Sequence, residues 1–343
     1  MTQRSAWGTG LAAVALCLVV VLLGLCAGSS GLDTLGRALL DASASDGAQA
    51  TARQILWEIR LPRTLGALAA GALLGLAGAL AQGLFRNPLA DPFLLGSASG
   101  ASLGVALALA FAGGAVWGAG ESRVWVHLGL TGAAFLGAVL AVALTLLLSR
   151  GVQHTLRLLL AGVVVGVVLG ACSSLVLVLQ PALLQTMQGF LLGSTSLIAW
   201  PACVLMLLVW VFCASIAWTL GRFLDALSLG QATARSLGLA SPGLRGLLIA
   251  VLALATATAV AQTGLIAFVG LAAPHLVRAT VRVSHRQLVW LASAAGALLL
   301  AGSDLLARSV LAPQDLPVGL LTAVLGGGYL LWLMRRGAPG NTV

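Results

Sequence analysis

Charge is what this 343-residue sequence has least of: only 8% of its residues are Asp, Glu, Lys or Arg, against roughly a quarter in a soluble domain. With 60% apolar residues there is too little polar side chain to cover a soluble core of that size, so a soluble enzyme is excluded. Lysine is missing altogether, and all 18 basic residues are arginine. Without an ε-amine the chain cannot form a Schiff base, tether pyridoxal phosphate or build the phosphate-binding lysine of a P-loop. Any ATP that drives it must be hydrolysed on another chain. The net charge of +9 sits in short clusters separated by long uncharged runs, which is not the basic stripe of a nucleic-acid binder. Cysteine is sparse too. Cys17, Cys26, Cys172, Cys203 and Cys213 lie in apolar runs with no C-x-x-C spacing and read as small buried hydrophobes.

What is present is apolar length. A bilayer-crossing helix needs about 20 apolar residues. The sequence supplies ten such stretches: residues 11–28, 61–85, one within 93–120, then 124–149, 157–179, 199–220, 243–262, 264–280, 287–303 and 316–334. Residues 158–221 hold no formal charge and are far too long for one helix. Gln180-Pro181 and the polar stretch 185–196 divide them, with a short amphipathic piece at the surface between two spans. The eighth stretch is short and broken by Pro274. The first is long for a cleavable signal and is followed by further spans, so it reads as a span itself. Residues 31–58 are polar and read as an exposed loop with a surface helix. The expected fold is all-α: one polytopic membrane domain, residues 1–343, with about ten transmembrane helices.

An even count puts both termini on one side. With that side inside, the inner segments hold Arg4, Arg86, Arg150, Arg157, Arg222, Arg235, Arg245, Arg278, Arg282, Arg286, Arg335 and Arg336 against only Asp91 and Asp225. The outer segments hold six arginines against seven acids. The positive-inside rule therefore predicts cytoplasmic termini. Dropping a middle helix would mix the two sets, so the bias supports the span count as well.

Gly71 and Gly75, Gly96, Gly100 and Gly104, and Gly162, Gly166 and Gly170 recur at four-residue spacing. Such small-residue faces predict close helix packing in lipid. Three segments stand apart from the spans. In Arg60-Leu-Pro-Arg63, Pro62 suits the first position of a helix, while two arginines at a helix N-terminus oppose its dipole; Glu58 or an external acidic partner would have to compensate. In the run from Phe85 to Gly100, Pro88 and Pro92 end one helix and start another on the inner side, with Asn87 and Asp91 suited to turns and caps. Residues 221–243 read as a cytoplasmic helical hairpin with Ala232, Arg235 and Leu239 on one stripe and Gly238 able to end the helix. Spacing alone leaves two roles open for it: docking into a partner's groove or lying on the lipid surface.

Together, Arg60-Leu-Pro-Arg63, Asn87-Pro-Leu-Ala-Asp-Pro92, the Gly230…Ala234…Gly238 segment and Gly264-Leu-Ile-Ala-Phe-Val-Gly-Leu-Ala-Ala-Pro-His275-Leu-Val-Arg278 resemble the FecCD-type permeases over residues 11–334. These are membrane subunits of type II ABC importers for iron–siderophore complexes, haem and cobalamin. The resemblance implies a homodimer in the bacterial inner membrane, with one path at the dimer interface. It also implies two cytoplasmic ABC ATPase subunits carrying ATP and Mg, and a periplasmic substrate-binding protein. The chain itself would be neither an enzyme nor a cofactor carrier. Arg60, Arg63 and Arg308 match outer arginines that meet acidic residues of the binding protein, with Asp304 placed to pair Arg308 at i,i+4. Residues 221–239 match the coupling helices, with Leu227, Gly230, Ala234, Arg235, Gly238 and Leu239 as the contacts to the ATPase. Relatives that carry cobalamin have two small hydroxyl residues, an inner gate, just before the arginine that opens the fifth span. Here His154, Thr155 and Leu156 precede Arg157, so Thr155, Leu156 and Arg157 occupy the gate with one hydroxyl and a bulkier apolar plug. Leu265 and Ala267 stand where Pro and Gly are common in the family.

The function this implies is import of an iron chelate, siderophore or haem, by ATP-driven alternating access; cobalamin is the alternative cargo. An ion-coupled secondary transporter would need an intramembrane carboxylate, and none of the nine acids lies mid-span. A membrane-embedded enzyme would need clustered His, Asp or Glu within the spans, and the sequence has no such cluster. His275, beside Pro274 at the inner end of a short helix, lacks a paired His or Met and reads as structural rather than as a haem ligand. His127, His154 and His285 fall near span ends.

Overall fold

The computed structural model describes residues 6–26, 46–111, 122–149, 155–230, 236 and 242–335. The helices are α1 (Ala6–Cys26), α2 (Asp46–Gln54), α3 (Leu61–Phe85), α4 (Ser97–Phe111), α5 (Ser122–Leu148), α6 (Thr155–Leu179), α7 (Leu184–Leu192), α8 (Trp200–Thr219), α9 (Gly221–Ser228), α10 (Pro242–Thr263), α11 (Val269–Thr280), α12 (His285–Val310) and α13 (Val318–Arg335). Seven helical stretches among the described residues are long and apolar enough to cross a bilayer, and α4 and α13 are shorter apolar helices. With α11, they account for all ten predicted spans. The chain is a multi-pass, all-helical membrane protein.

The core is organised around α3, which packs against α12, α10, α11 and α8. Its sequence is almost wholly Ala, Gly and Leu, and nearly every residue is buried. In lipid the hydrophobic effect does not drive one apolar helix against another, so close backbone approach and dispersion must do so. The α3–α12 seam illustrates this. A Cβ on Gly71 would run into the Gly296 carbonyl, and one on Gly75 into the Ala292 carbonyl. The predicted packing role of Gly100 and Gly104 is also seen, against Gly137 and Ala133 of α5. Gly162 is packed as tightly, with a Cβ there meeting the Leu94 carbonyl, whereas Gly166 and Gly170 lie in ordinary van der Waals contact with the Ser99 hydroxyl and, for Gly166, with Gly96.

Four features differ from the sequence expectation. Pro62 does lie in the first turn of α3, but that turn is not a free helix end: α2 runs through a π turn, Ile55–Arg60, directly into α3. The wider turn accommodates a proline that has no N–H and whose ring would clash with the carbonyl four residues back. Pro274 does not break the eighth span but lies buried inside α11. It forfeits one bond, to the Gly270 carbonyl, and that carbonyl is lodged against Gly78 of α3. The eighth helix itself starts only at Val269, because Gly264 and Phe268 both take left-handed backbone, with φ of 70° and 68°. The ninth is longer than residues 287–303, so Asp304 and Arg308, outside the predicted span, lie on the last turns of α12.

The helix ends sort into two faces. One carries the end of α1, the starts of α3 and α8, and the α12–α13 connection. The other carries the end of α3, α9, the start of α10 and the start of α12.

Candidate functional site

At the face predicted to lie outside, three arginines converge. Arg60 turns back onto the last turn of α1, donating from Nη1 to the Leu25 carbonyl at 2.8 Å and the Cys26 carbonyl at 3.0 Å. Arg308 donates to the Gly24 carbonyl and to Thr64 Oγ1, both at 3.1 Å. The final carbonyls of a helix have no partner in their own helix, and the dipole makes that end negative, so these two guanidinium groups cap α1. Asp304, with no exposed side-chain surface, anchors the rest. It accepts from Arg63 Nε at 3.1 Å and Nη2 at 2.9 Å, pairs with Arg308 Nη2 at 3.0 Å, and accepts from the Thr195 hydroxyl. Arg63 Nη1 reaches outward to Asp315 at 2.7 Å, and that carboxylate is 35% exposed.

Three cations thus face two carboxylates and a helix C-terminus. The compensation that Arg60 and Arg63 need is supplied within the chain, by Asp304, Asp315 and the α1 carbonyls, rather than by Glu58. The i,i+4 pair of Asp304 and Arg308 read from the sequence is formed. Arg60 and Arg308 are buried, at 5% and 3% exposure. Arg63, by contrast, reaches a carboxylate that is itself open to water. Trp200 packs on Trp57 at the same face, ring centroids 5.1 Å apart, and donates to the Trp57 carbonyl at 2.9 Å. Such indoles mark the membrane–water boundary.

At the opposite face, α9 is fastened to the start of α12. Asp225 Oδ1 accepts the His285 backbone N–H at 2.9 Å and meets the His285 Nδ1 at 2.7 Å. A carboxylate at a helix N-terminus is favoured by the dipole and satisfies an orphan donor. The Arg286 guanidinium lies 4.8 Å from the Trp218 ring centroid, and its stem rests on Gly221, where any Cβ would collide with it. Nearby, Gln82 bridges α3 to α11 by donating to the Leu271 carbonyl at 3.1 Å and accepting from Arg278. Asp91 caps a 3-10 turn, Pro92–Leu95, by accepting from the Phe93 N–H at 2.8 Å, and burial pushes its carboxyl up to about 6.

The other sequence-predicted residues are placed as follows. Leu227 packs into the chain's own core beside Phe223 and Leu224 rather than projecting from it. Gly230 has φ of 112°, a left-handed conformation that ends α9 at no side-chain penalty. Ala234, Arg235, Gly238 and Leu239 lie outside the described residues, as does the side chain of Thr155. Leu156 and Arg157 are exposed at the start of α6, Leu156 at 82%. His275 Nδ1 lies 2.8 Å from the Tyr329 hydroxyl, a link between α11 and α13. Among the described residues no three His, Cys, Asp or Glu side chains come together as a metal site.

Sequence reasoning found the outer arginines but missed Asp315, Thr195 and Thr64 as their partners, and Asp225 as the clasp on α12. One signal was available: with nine acids in the whole chain, each needs a reason to be there, and three of them proved to be arginine or histidine partners.

The description of the FecCD transport family matches residues 16–336. The chain belongs to the FecCD transport family. Vitamin B12 import system permease proteins BtuC from Salmonella paratyphi A and Salmonella typhimurium are each 35% identical over 329 residues, covering 94% of this chain and 93% of theirs. A solved structure described as an inward-facing ABC transporter assigned to the metal-chelate type superposes with a TM-score of 0.82 at 29% identity, covering 95% of this chain and 98% of that one. PsaBC from Streptococcus pneumoniae shares the fold alone, with a TM-score of 0.56 at 17% identity over 80% of this chain and 94% of that one. The FecCD chain described here is the permease subunit of an ABC importer and works with ATPase and binding-protein partners. It is not an enzyme, since the ATPase is a separate subunit.

Proposed function

We propose that this FecCD permease forms a homodimer in the bacterial inner membrane and moves a bulky metal chelate into the cytoplasm by alternating access. Two cytoplasmic ATPases binding ATP and Mg drive it, and a periplasmic binding protein delivers the cargo. Both termini are cytoplasmic in this reading. The observation that carries the assembly is the pairing of two chemically different ends on one chain. One end holds a compact arginine–carboxylate cluster in which Arg63 reaches a water-exposed carboxylate, and the other holds a helix, α9, tied by Asp225 to a membrane span. The cluster faces the acidic binding protein, and the segment after α9, with Gly230, Ala234, Arg235, Gly238 and Leu239, engages the ATPase. Leu227 supports that segment from the core side.

The second copy covers the open face of α6. Leu156, Leu160, Val163, Val164, Val167 and Val168 are all exposed there, and their helical spacing makes one apolar stripe. Thr155, Leu156 and Arg157 sit at its inner end as the gate. In a cysteine-free background, Leu156→Cys should cross-link to its counterpart in the resting dimer; failure under oxidation would remove the gate from the dimer axis.

The cargo class is a metal chelate. An iron chelate is the reading from the sequence, and cobalamin is favoured by the vitamin B12 import permeases that are 35% identical over nearly the whole chain. Uptake of labelled cobalamin and of labelled ferric siderophore and haem by vesicles holding the whole assembly decides between them. Uptake of a cargo by the permease alone, without the ATPase, would sink the importer reading.

A further inference from the structure

Docking through three arginines meets a difficulty in this geometry, because two of them have nothing to offer. Arg60 and Arg308 are committed to the α1 carbonyls, Thr64 and Asp304, all within the fold. Withdrawing either would take a donor from the C-terminal carbonyls of α1, and withdrawing Arg308 would also take one of the two counter-charges of the fully buried Asp304. Arg63 is different. Asp304 fixes its Nε and Nη2, which orients the guanidinium plane, while Nη1 points outward to Asp315.

We propose that Asp315 competes with the binding protein for Arg63. Docking then proceeds by exchange, an acidic side chain of the partner taking Nη1 while the Asp315 carboxylate swings into water. This rests on the importer reading above. Three observations support it. The Asp315 side chain is 35% exposed, so its release costs little desolvation, whereas Asp304 at 0% cannot leave. The segment carrying Asp315 is held independently of its side chain, through the Leu316 N–H on the Ala307 carbonyl at 3.1 Å and the Gln314 N–H on the Leu311 carbonyl at 2.9 Å. Finally, Asp304 keeps Arg63 aimed outward after the exchange, so the incoming carboxylate meets a preset donor. The exchange also supplies selectivity. A bare guanidinium at the outer surface would accept any lipid phosphate, and an internal competitor must be out-bid by a partner that brings further contacts.

The test measures binding-protein affinity for the complete permease–ATPase assembly in phosphatidylcholine nanodiscs, using the periplasmic binding protein that supports its uptake. An ion pair this exposed is worth about 1 kcal/mol at most, about fivefold in Kd. Asp315→Asn, and Asp315→Ser as a second neutral variant, should tighten Kd by up to about fivefold. Asp315→Glu, which keeps the competing carboxylate, should stay within twofold of the parent. Arg63→Gln should weaken Kd at least tenfold, and adding Asp315→Asn to it should give no gain, because the competitor acts only through Arg63. Unchanged or weaker binding by both neutral variants, with Arg63→Gln still damaging, overturns the exchange and leaves docking at Arg63 standing. Full binding by Arg63→Gln removes Arg63 from the docking surface and the exchange with it.

Discussion

Asp304→Asn is the most informative single change, because it alters charge and almost nothing else. The amide keeps the size and one carbonyl oxygen of the carboxylate, so the cavity term is negligible. What is lost is the counter-charge for two guanidinium groups, Arg63 at 2.9 Å and Arg308 at 3.0 Å, whose side chains are only 12% and 3% exposed. Neither can turn to water without uncoupling α3 from α12. Breaking a buried pair from one side costs about 3–5 kcal/mol, since a buried charge is left uncompensated. At about 2 °C per kcal/mol for a chain of this size, the midpoint of thermal unfolding should fall by about 6–10 °C. Tryptophan emission during a temperature ramp in detergent measures it. Asp315→Asn is the internal control: its partner is the same Arg63, but the pair is a third exposed, so a drop of no more than about 2 °C is expected. Replacing the buried triad together, as Arg63→Met, Asp304→Leu and Arg308→Met, should recover much of the stability while abolishing capture of the binding protein. A midpoint for Asp304→Asn within 2 °C of the parent would refute the reasoning, because the cluster would then be a surface feature rather than a buried one.

Gly78→Leu should yield no folded permease, since even a Cβ there meets the Gly270 backbone, whereas Gly129→Ala, with open space around it, should melt within about 2 °C of the parent; recovery in the folded size-exclusion peak separates them. Asp225→Ala removes both contacts to His285 but leaves the Ser284 capping box of α12 in place, so it should cost about 1 kcal/mol as lost hydrogen bonds. It should also lower cargo uptake severalfold relative to ATP hydrolysis in vesicles, and an unchanged ratio would free α9 from any coupling duty. Asp91 gives a pH signature. Its carboxyl, pushed up to about 6 by burial, binds its proton more tightly folded than unfolded. That stability is present below about 4 and is lost as pH rises through about 6, by no more than about 3 kcal/mol. Asp91→Asn should flatten the slope of melting midpoint between about pH 4 and 6, and an unchanged slope would assign it to other groups.

The architecture was legible because lipid imposes it. Every span must satisfy its own backbone and be long enough to cross. The boundaries were less legible where a backbone irregularity replaced a break. Pro62 reads as a helix start in any local window, and nothing near it announces the π turn that carries α2 into α3. Pro274 reads as a stop, yet tertiary packing on Gly78 holds α11 through it. The cluster was half legible. Arg60 and Arg63 stand out because they oppose a helix dipole, and Asp304 and Arg308 because of their spacing. Their mutual partnership spans 241 residues from Arg63 to Asp304 and has no local signal. The Asp225 clasp was invisible for the same reason: only the fold brings α9 to the foot of α12.

That helix has 26 residues and so measures about 39 Å from end to end. It is gripped at its foot by Asp225, at its head by Arg63 and Thr195, and along its waist by the tight glycine contacts with α3. A rod held in this way has no slack to absorb a displacement. Tilting it by about 5° about its foot carries the head sideways by about 3 Å, further than any hydrogen bond there can stretch. Leverage of that kind makes the two membrane faces mechanically aware of each other without a message passing from residue to residue.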